Sequence, residues 1–311
     1  MKEAQFVREH EPLWRQLENG GADADYPAAY RRVCHHLALA RRRGYSLPLI
    51  ERLEQLVIDG RQTLYRRPGH LLKSLARFYA VGFPAMVRRH ARLVAVSALL
   101  FLGSLALMTL LAQWLPDLPY SVVPPMDMAE VEDMYAPGQT QRLGRDAADS
   151  DILMFGFYIR NNTGIGFRTF AGGLAFGLGS LFFLLFNGVY IGAIAGHLTQ
   201  IGYNRTFWGF VAGHSAMELT AIVLCGAAGL LLGLALIRPG RRSRLHALRE
   251  NAADAVRIVY GAATMFVIAA FIEAFWSSRA APPLALKIGV GLTLWALVIL
   301  YFTLQGRRHA D

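Results

Sequence analysis

Residues 93–115 read LVAVSALLFLGSLALMTLLAQWL and carry no charged side chain. A helix of that length is long enough to cross a hydrocarbon core of about 30 Å, and in lipid only a structure that satisfies its own backbone N–H and C=O groups is viable. The stretch therefore predicts a transmembrane helix, and this sets the class of the whole chain. Residues 1–92 hold 17 Lys or Arg, with Arg88, Arg89 and Arg92 against the start of the span. Basic residues gather on the cytoplasmic flank of a span, so this helix is expected to start inside and end outside, with Trp114 as an interfacial anchor.

The segment that follows, 116–151, holds eight Asp or Glu, two Arg and Pro116, Pro119, Pro124, Pro125 and Pro137. It reads as an extracytoplasmic loop with little regular structure. Near the other end, RPGRRSRLHALREN (238–251) is rich in arginine and should be cytoplasmic. AVRIVYGAATMFVIAAFIEAFW (255–276) then runs out, SSRAAPP (277–283) turns, and LALKIGVGLTLWALVILYFTLQ (284–305) returns to a basic tail, GRRHAD.

These assignments constrain the middle. HSAMELTAIVLCGAAGLLLGLALI (214–237) must run inward because it ends at Arg238. The first span ends outside, so residues 167–203 must leave the outer side and come back to it. Two crossings or a re-entrant hairpin would both do so, with Asn187-Gly188 as the expected turn. Glycine recurs throughout this stretch, which permits close helix approach or broken helices.

Before the first span, FVREHEPLWRQLE, AAYRRVCHHLALARRR and LPLIERLEQLVIDGRQTLYRR place apolar residues at steps of three and four, the helical period. Asp25-Tyr26-Pro27 and Arg43-Gly44-Tyr45-Ser46 break them. HLLKSLARFYAVGFPAMVRRHARL (70–93) reads as an amphipathic helix at the cytoplasmic interface. The N-terminus lacks an apolar run, so no cleavable signal peptide is expected. The fold class is therefore all-α: a polytopic helical membrane bundle of about five or six spans, with a re-entrant hairpin as one form of the middle stretch and an N-terminal cytoplasmic helical domain. The domains are 1–90, cytoplasmic and interfacial, and 91–311, transmembrane with the loop 116–151. The protein is placed in the cytoplasmic (inner) membrane with both termini cytoplasmic.

The net charge of +10 is assigned to topology and anionic lipid, not to nucleic acid. Cys34 and Cys225 form no disulfide framework. His35-His36, within an arginine-rich helix, reads as a solvated face; His197 reads as interfacial. CGAAGLLLG, with Gly226, Gly229 and Gly233, reads as a helix-packing seam.

Ionisable residues inside spans are costly and expected to face inward and pair. His214 and Glu218 lie four apart on one helix face, in the outer third of the membrane, and Glu273 lies at a similar depth on its own helix. Asn161 and Asn162 could join them, as could Asn187 in its expected turn, with Arg160 and Arg168 as nearby counter-charges. This polar site has two readings, an ion, proton, metal or solute site or an interhelical network that locks the bundle. A zinc hydrolase is disfavoured, since no H-E-x-x-H pattern occurs. No catalytic residue and no cofactor is assigned, and whether the site takes a metal is left open.

IRNNTGIGFRTFAGGLAFGLGSLFFLLFNGVYIGA (159–193), GHSAMELTAIVLCGAAGLLLG (213–233) and AAFIEAF (269–275) resemble the stage II sporulation protein M family of bacterial and archaeal membrane proteins. The resembling features are the Asn pair, the glycine-rich span with its Asn-Gly, the spacing of His214 and Glu218, and the late Glu273. Ser215 stands where the family's element has glycine after the histidine. The resemblance implies an integral membrane protein over roughly 90–305. In endospore formers the named member acts with sporulation proteins D and P in septal peptidoglycan thinning, but relatives also occur in organisms that do not sporulate. It implies no catalytic activity.

Two functions follow as expectations. The first is a non-enzymatic membrane scaffold or assembly factor for cell-envelope processes, with membrane lipids and a protein at the N-terminal domain as partners and homo-oligomers allowed. The second is a transporter or channel using His214, Glu218 and Glu273.

Overall fold

The computed structural model describes residues 2–18, 26–65, 71–138, 142–145 and 150–307, except for the side chains of 62–65. Asp25 and the tail beyond Arg307 lie outside the described residues. Among these residues the chain is helical without strands, and it divides into two compact units, Met1–Ala76 and Arg77–Asp311.

The first unit contains α1 (Glu3–Glu18), α2 (Tyr26–Arg43) and α3 (Leu47–Tyr65), and ends in α4 (Leu71–Arg77). Gly44, at φ +63°, takes the left-handed conformation that reverses the chain between α2 and α3. Phe6, Trp14, Val33, Ala40 and Leu53 fill the core. His36 belongs to this core and not to a solvated face; only His35 is exposed. The reason is helical register, since Ala29, Val33, His36 and Ala40 form one buried stripe of α2. Trp14 Nε1 donates to His36 Nδ1 at 3.1 Å, and the His10 ring stacks on His36 at 4.0 Å. Burial, then the neighbouring His10, His35 and Arg32, hold the His36 pKa down to about 4.

In the second unit a π-helical turn (Phe78–Gly82) and α5 (Phe83–Arg89) lead into α6 (Ala91–Trp114). The stretch expected to lie along the interface is therefore partly core. Phe83 is 2% exposed and sits against Gly261, and Arg88 donates to the carbonyls of Phe302 and Gln305. After α7 (Pro125–Tyr135) come α8 (Asp151–Ala171), α9 (Leu178–Gln200), α10 (Asn204–Ile237), α11 (Arg244–Ile272), continued by a π-helical turn (Glu273–Ser277), and α12 (Leu284–Leu304). Among the described residues, α6, α9, α10, α11 with its π turn, and α12 are long and apolar enough to cross a membrane. α8 packs with them but is too polar to meet that criterion.

The middle stretch reverses at 172–177, not at Asn187-Gly188. Phe176 (φ 55°) and Gly177 (φ 82°) turn the chain, whereas Asn187 stays helical because its amide donates to the Phe183 carbonyl at 2.6 Å. α9 runs parallel to α6, with Gly188 against Phe101 and Ser104, Gly192 against Leu105 and Met108, and Gly196 against Thr109 and Ala112. Gly188 and Phe101 each lie ten residues into their helices, so α9 runs the full length of α6. The two long passes are therefore α8 and α9, so the returning segment begins at Asp151, and residues 167–203 hold only the end of α8 together with the single long helix α9.

α10 is the central helix, packing on α6, α8, α9, α11 and α12. Gly226, Gly229 and Gly233 form the expected seam. Gly229 lies under Ser180 and the Thr169 and Phe170 carbonyls, and Gly233 lies under the Gly177 backbone. A Cβ on Gly173 would sit 2.1 Å from the Gly229 carbonyl oxygen, so the side-chain-free residues are what let the hairpin meet α10 backbone to backbone.

The loop 116–151 is more regular than its composition suggested. Pro125 opens α7 at a position where its missing N–H costs nothing, and Met128 is fully buried. Leu143 N donates to the Ser278 carbonyl and Gly144 N to the Met134 carbonyl, which straps the loop across this end of the bundle.

Candidate functional site

The cluster forms where α8, α10 and the π turn after α11 converge. His214 and Glu218, one turn apart on α10, face Glu273, and a ligand atom from each lies within 4.8 Å of the others. His214 Nε2 is 3.9 Å from Glu218 Oε2, while His214 Nδ1 meets Ser277 Oγ at 3.1 Å. Asn162 Nδ2 donates to Glu273 Oε2 at 3.3 Å. His214, Glu273 and Asn162 are buried, Ser277 is fully buried, and the Glu218 side chain is 15% exposed. Glu218 Oε2 is buried and has no hydrogen-bond partner.

Local backbone explains the convergence. A π turn inserts an extra residue into a helix and re-aims its side chains, and here it directs Glu273 and Ser277, one helical step apart, at α10. Gly213 allows the approach, since a Cβ there would lie 2.6 Å from Ser277 Oγ. Phe210 packs edge-on to the His214 ring with centroids 5.1 Å apart.

The sequence-derived residues divide clearly. His214, Glu218, Glu273 and Asn162 come together. Asn161 is exposed on α8 and reaches the cluster only through its bond to Asn162 Oδ1 at 3.0 Å. Asn187 is on α9, with its amide used within that helix. Arg160 and Arg168 are exposed on α8, so they are not the cluster's counter-charges. With Phe157, Asn161 and Gly164 they line a separate surface cavity of about 400 Å³. His197, near the end of α9, is buried against the loop helix, its Nε2 meeting Glu132 Oε1 of α7 at 2.6 Å.

Three residues went unnoticed in the sequence. Ser277 was legible, because it lies four residues after Glu273. Lys287 is 2% exposed and donates from Nζ to the Ser277 carbonyl at 2.9 Å; it also lines a cavity of about 380 Å³ with Tyr203, Arg205 and Thr206. Tyr135, at the end of α7, is partly buried. Burial first, then Glu273, Tyr158 and Glu218, raise its pKa well above the ordinary value, so it remains a neutral phenol. No spacing in the sequence connects Tyr135 to α10 or α11.

Chemically, one imidazole and two carboxylates, each held by a neutral partner or left free, can share protons or coordinate a cation. A family model described as Stage II sporulation protein M matches residues 97–278. A second, described as a domain of unknown function (DUF8413), matches residues 4–66. No curated protein and no solved structure matches.

Proposed function

The chain belongs to the stage II sporulation protein M family, and on that premise we propose that it is a multi-pass scaffold of the cytoplasmic membrane that assembles partners within the bilayer. The observation that carries this reading is the outward face of α8. Arg160, Asn161 and Arg168 are exposed along a helix that packs among the membrane spans. Lipid is a poor environment for such a face, since a charged side chain at mid-membrane costs several kcal/mol. A partner helix carrying carboxylates would cover it and supply the opposite charge. The compact N-terminal unit, matched by its own family model, fits a second docking module.

The orientation is part of the proposal. Arg89, Arg92, Arg238, Arg241, Arg242, Arg244 and Arg249 are exposed where α6 begins, α10 ends and α11 begins. This basic end fits the cytoplasmic side, with both termini there.

A photo-crosslinking amino acid placed at Phe157, beside the arginines, tests the scaffold reading in native membranes. The expected result is a protein adduct that Arg160→Leu with Arg168→Leu abolishes. Lipid adducts alone, as at the lipid-facing control Leu292, would overturn it. Transport remains a second reading, favoured by the unpartnered Glu218 oxygen inside the bundle. It requires solute flux in proteoliposomes that Glu218→Gln or Glu273→Gln removes, and flux no greater than in empty liposomes eliminates it.

A further inference from the structure

Two carboxylates and an imidazole within 4.8 Å of one another, buried except for the 15% exposure of the Glu218 side chain, are balanced by bound protons or by a cation. The arginines expected to do so face outward, and Lys287 spends its bond on the Ser277 carbonyl instead of on either carboxylate. Glu218 Oε2 points into the cluster with no donor to meet it. The groups around the cluster are arranged as those around a metal site are. Ser277 holds His214 at Nδ1, leaving Nε2 toward the carboxylates, and Asn162 holds Glu273. Fixing the second ring nitrogen of a ligating histidine, and hydrogen-bonding a ligating carboxylate, are what orient such ligands.

From this geometry we infer that His214, Glu218 and Glu273 form a binding site for one divalent transition-metal ion of the zinc type. The inference rests on the membrane bundle and is independent of the scaffold reading. One neutral imidazole and two carboxylates around a dication sum to zero net charge, which is what a low-dielectric interior requires. The donor set selects the ion class. Imidazole with carboxylates suits zinc and its first-row neighbours, whereas calcium and magnesium take oxygen-rich shells. Ligand atoms at about 2.0–2.2 Å from such an ion lie about 3.4 Å apart in a tetrahedral site, so His214 Nε2 and Glu218 Oε2, now 3.9 Å apart, need close by only about half an ångström to share it. Glu273 closes on it with a small side-chain adjustment. Three protein ligands leave a fourth position open, as in sites that exchange water or a further ligand.

The full chain, purified in detergent with its affinity tag removed and stripped with a chelator, is titrated with Zn²⁺ and with Co²⁺. The expected result is one tight site per chain, with the Co²⁺ form showing the visible absorption of low-coordinate nitrogen and oxygen ligation. Glu273→Gln and His214→Gln should lose the site and the absorption. Asn162→Ala, which keeps all three ligands, should weaken binding by about 10–100-fold. Zinc X-ray absorption should report nitrogen and oxygen neighbours and no sulfur, which excludes Cys34 and Cys225. Equal binding by wild type and the ligand variants means adventitious metal only and overturns the inference, as does a wild-type chain without a stoichiometric site. Should the Gln variants fail to elute as monodisperse protein, Asn162→Ala and the absorption spectrum decide: unchanged affinity together with a sulfur-containing shell also overturns it.

Discussion

The N-terminal unit and the membrane bundle solve the same problem, burying polar groups among helices, with opposite materials. In the N-terminal unit large side chains do the work. Trp14 and His36 satisfy each other in the core, while Arg52 reaches Glu11 and Glu18 at 2.9 Å each and lies 5.7 Å from the Trp14 ring centroid. In the bundle the work falls to the smallest residues. Gly173 against Gly229 and Gly177 against Gly233 leave no side chain between backbones, and serine hydroxyls bridge neighbouring helices, Ser97 to the Val223 carbonyl and Ser180 to the Thr169 carbonyl. In water the driving force is apolar burial, so bulk is stabilising. In lipid that force is absent between helices, so close approach and short polar links replace it.

If that contrast is right, removing bulk from the N-terminal core should hurt that unit and leave the bundle intact. Trp14→Ala should cost about 3–5 kcal/mol there, by analogy with buried aromatic truncations. It should abolish hydrogen-exchange protection in α1–α3 while α9 and α10 keep theirs; protection lost in both would break the comparison. Adding bulk at the glycine seam should hurt the bundle. Gly173→Ala should cost about 1–3 kcal/mol by overpacking, a drop of several degrees in its thermal midpoint. Gly289→Ala, at a glycine with nothing within 4 Å, should cost nothing.

Titration sharpens the contrast further. His36 has a pKa of about 4 when folded, below its ordinary value of 6.5. Between these values the unfolded chain binds the extra proton, so the stability of the N-terminal unit falls as pH drops from about 6.5 to about 4 and is level above it. A loss on the order of 1–2 kcal/mol of α2 protection is expected once intrinsic exchange rates are corrected. His36→Phe should flatten that slope. Apart from the Gly289 control, the smallest effect belongs to Arg52→Ala, whose partly exposed ion pairs should be worth at most about 1 kcal/mol in the same protection measurement.

Period and charge made much of this architecture legible. Runs of apolar residues announced the spans, and arginine clusters fixed the parity that demanded a returning middle stretch. The turn in that stretch was misplaced because Asn-Gly signals a turn in water. In a helix without competing solvent, Asn187 turns its amide onto Phe183 instead, and the reversal falls at Phe176-Gly177. α7 was hidden by prolines, although Pro125 at a first helical position followed by Asp127 is itself a helix-start pattern. His36 was masked by surrounding arginines, though its register with Val33 and Ala40 was visible. In the candidate site, the one-turn spacing of His214 and Glu218 was readable directly. The meeting with Glu273 followed from parity and depth. The outward arginines of α8 and the approach of Tyr135 depend on helix rotation and on a strapped loop, which no local spacing encodes.

The most direct test of this account is the sidedness of the α8–α9 hairpin. In a Cys34→Ser, Cys225→Ala background, single cysteines at Ala175, in the turn, and at Asn204, after α9, are probed with a membrane-impermeant thiol reagent in oriented vesicles. Two full passes predict that Ala175→Cys reacts from the side of Arg241 and Asn204→Cys from the opposite side, together with Ser121→Cys. If Ala175→Cys and Asn204→Cys react from the same side, the hairpin does not cross and the bundle described here is wrong.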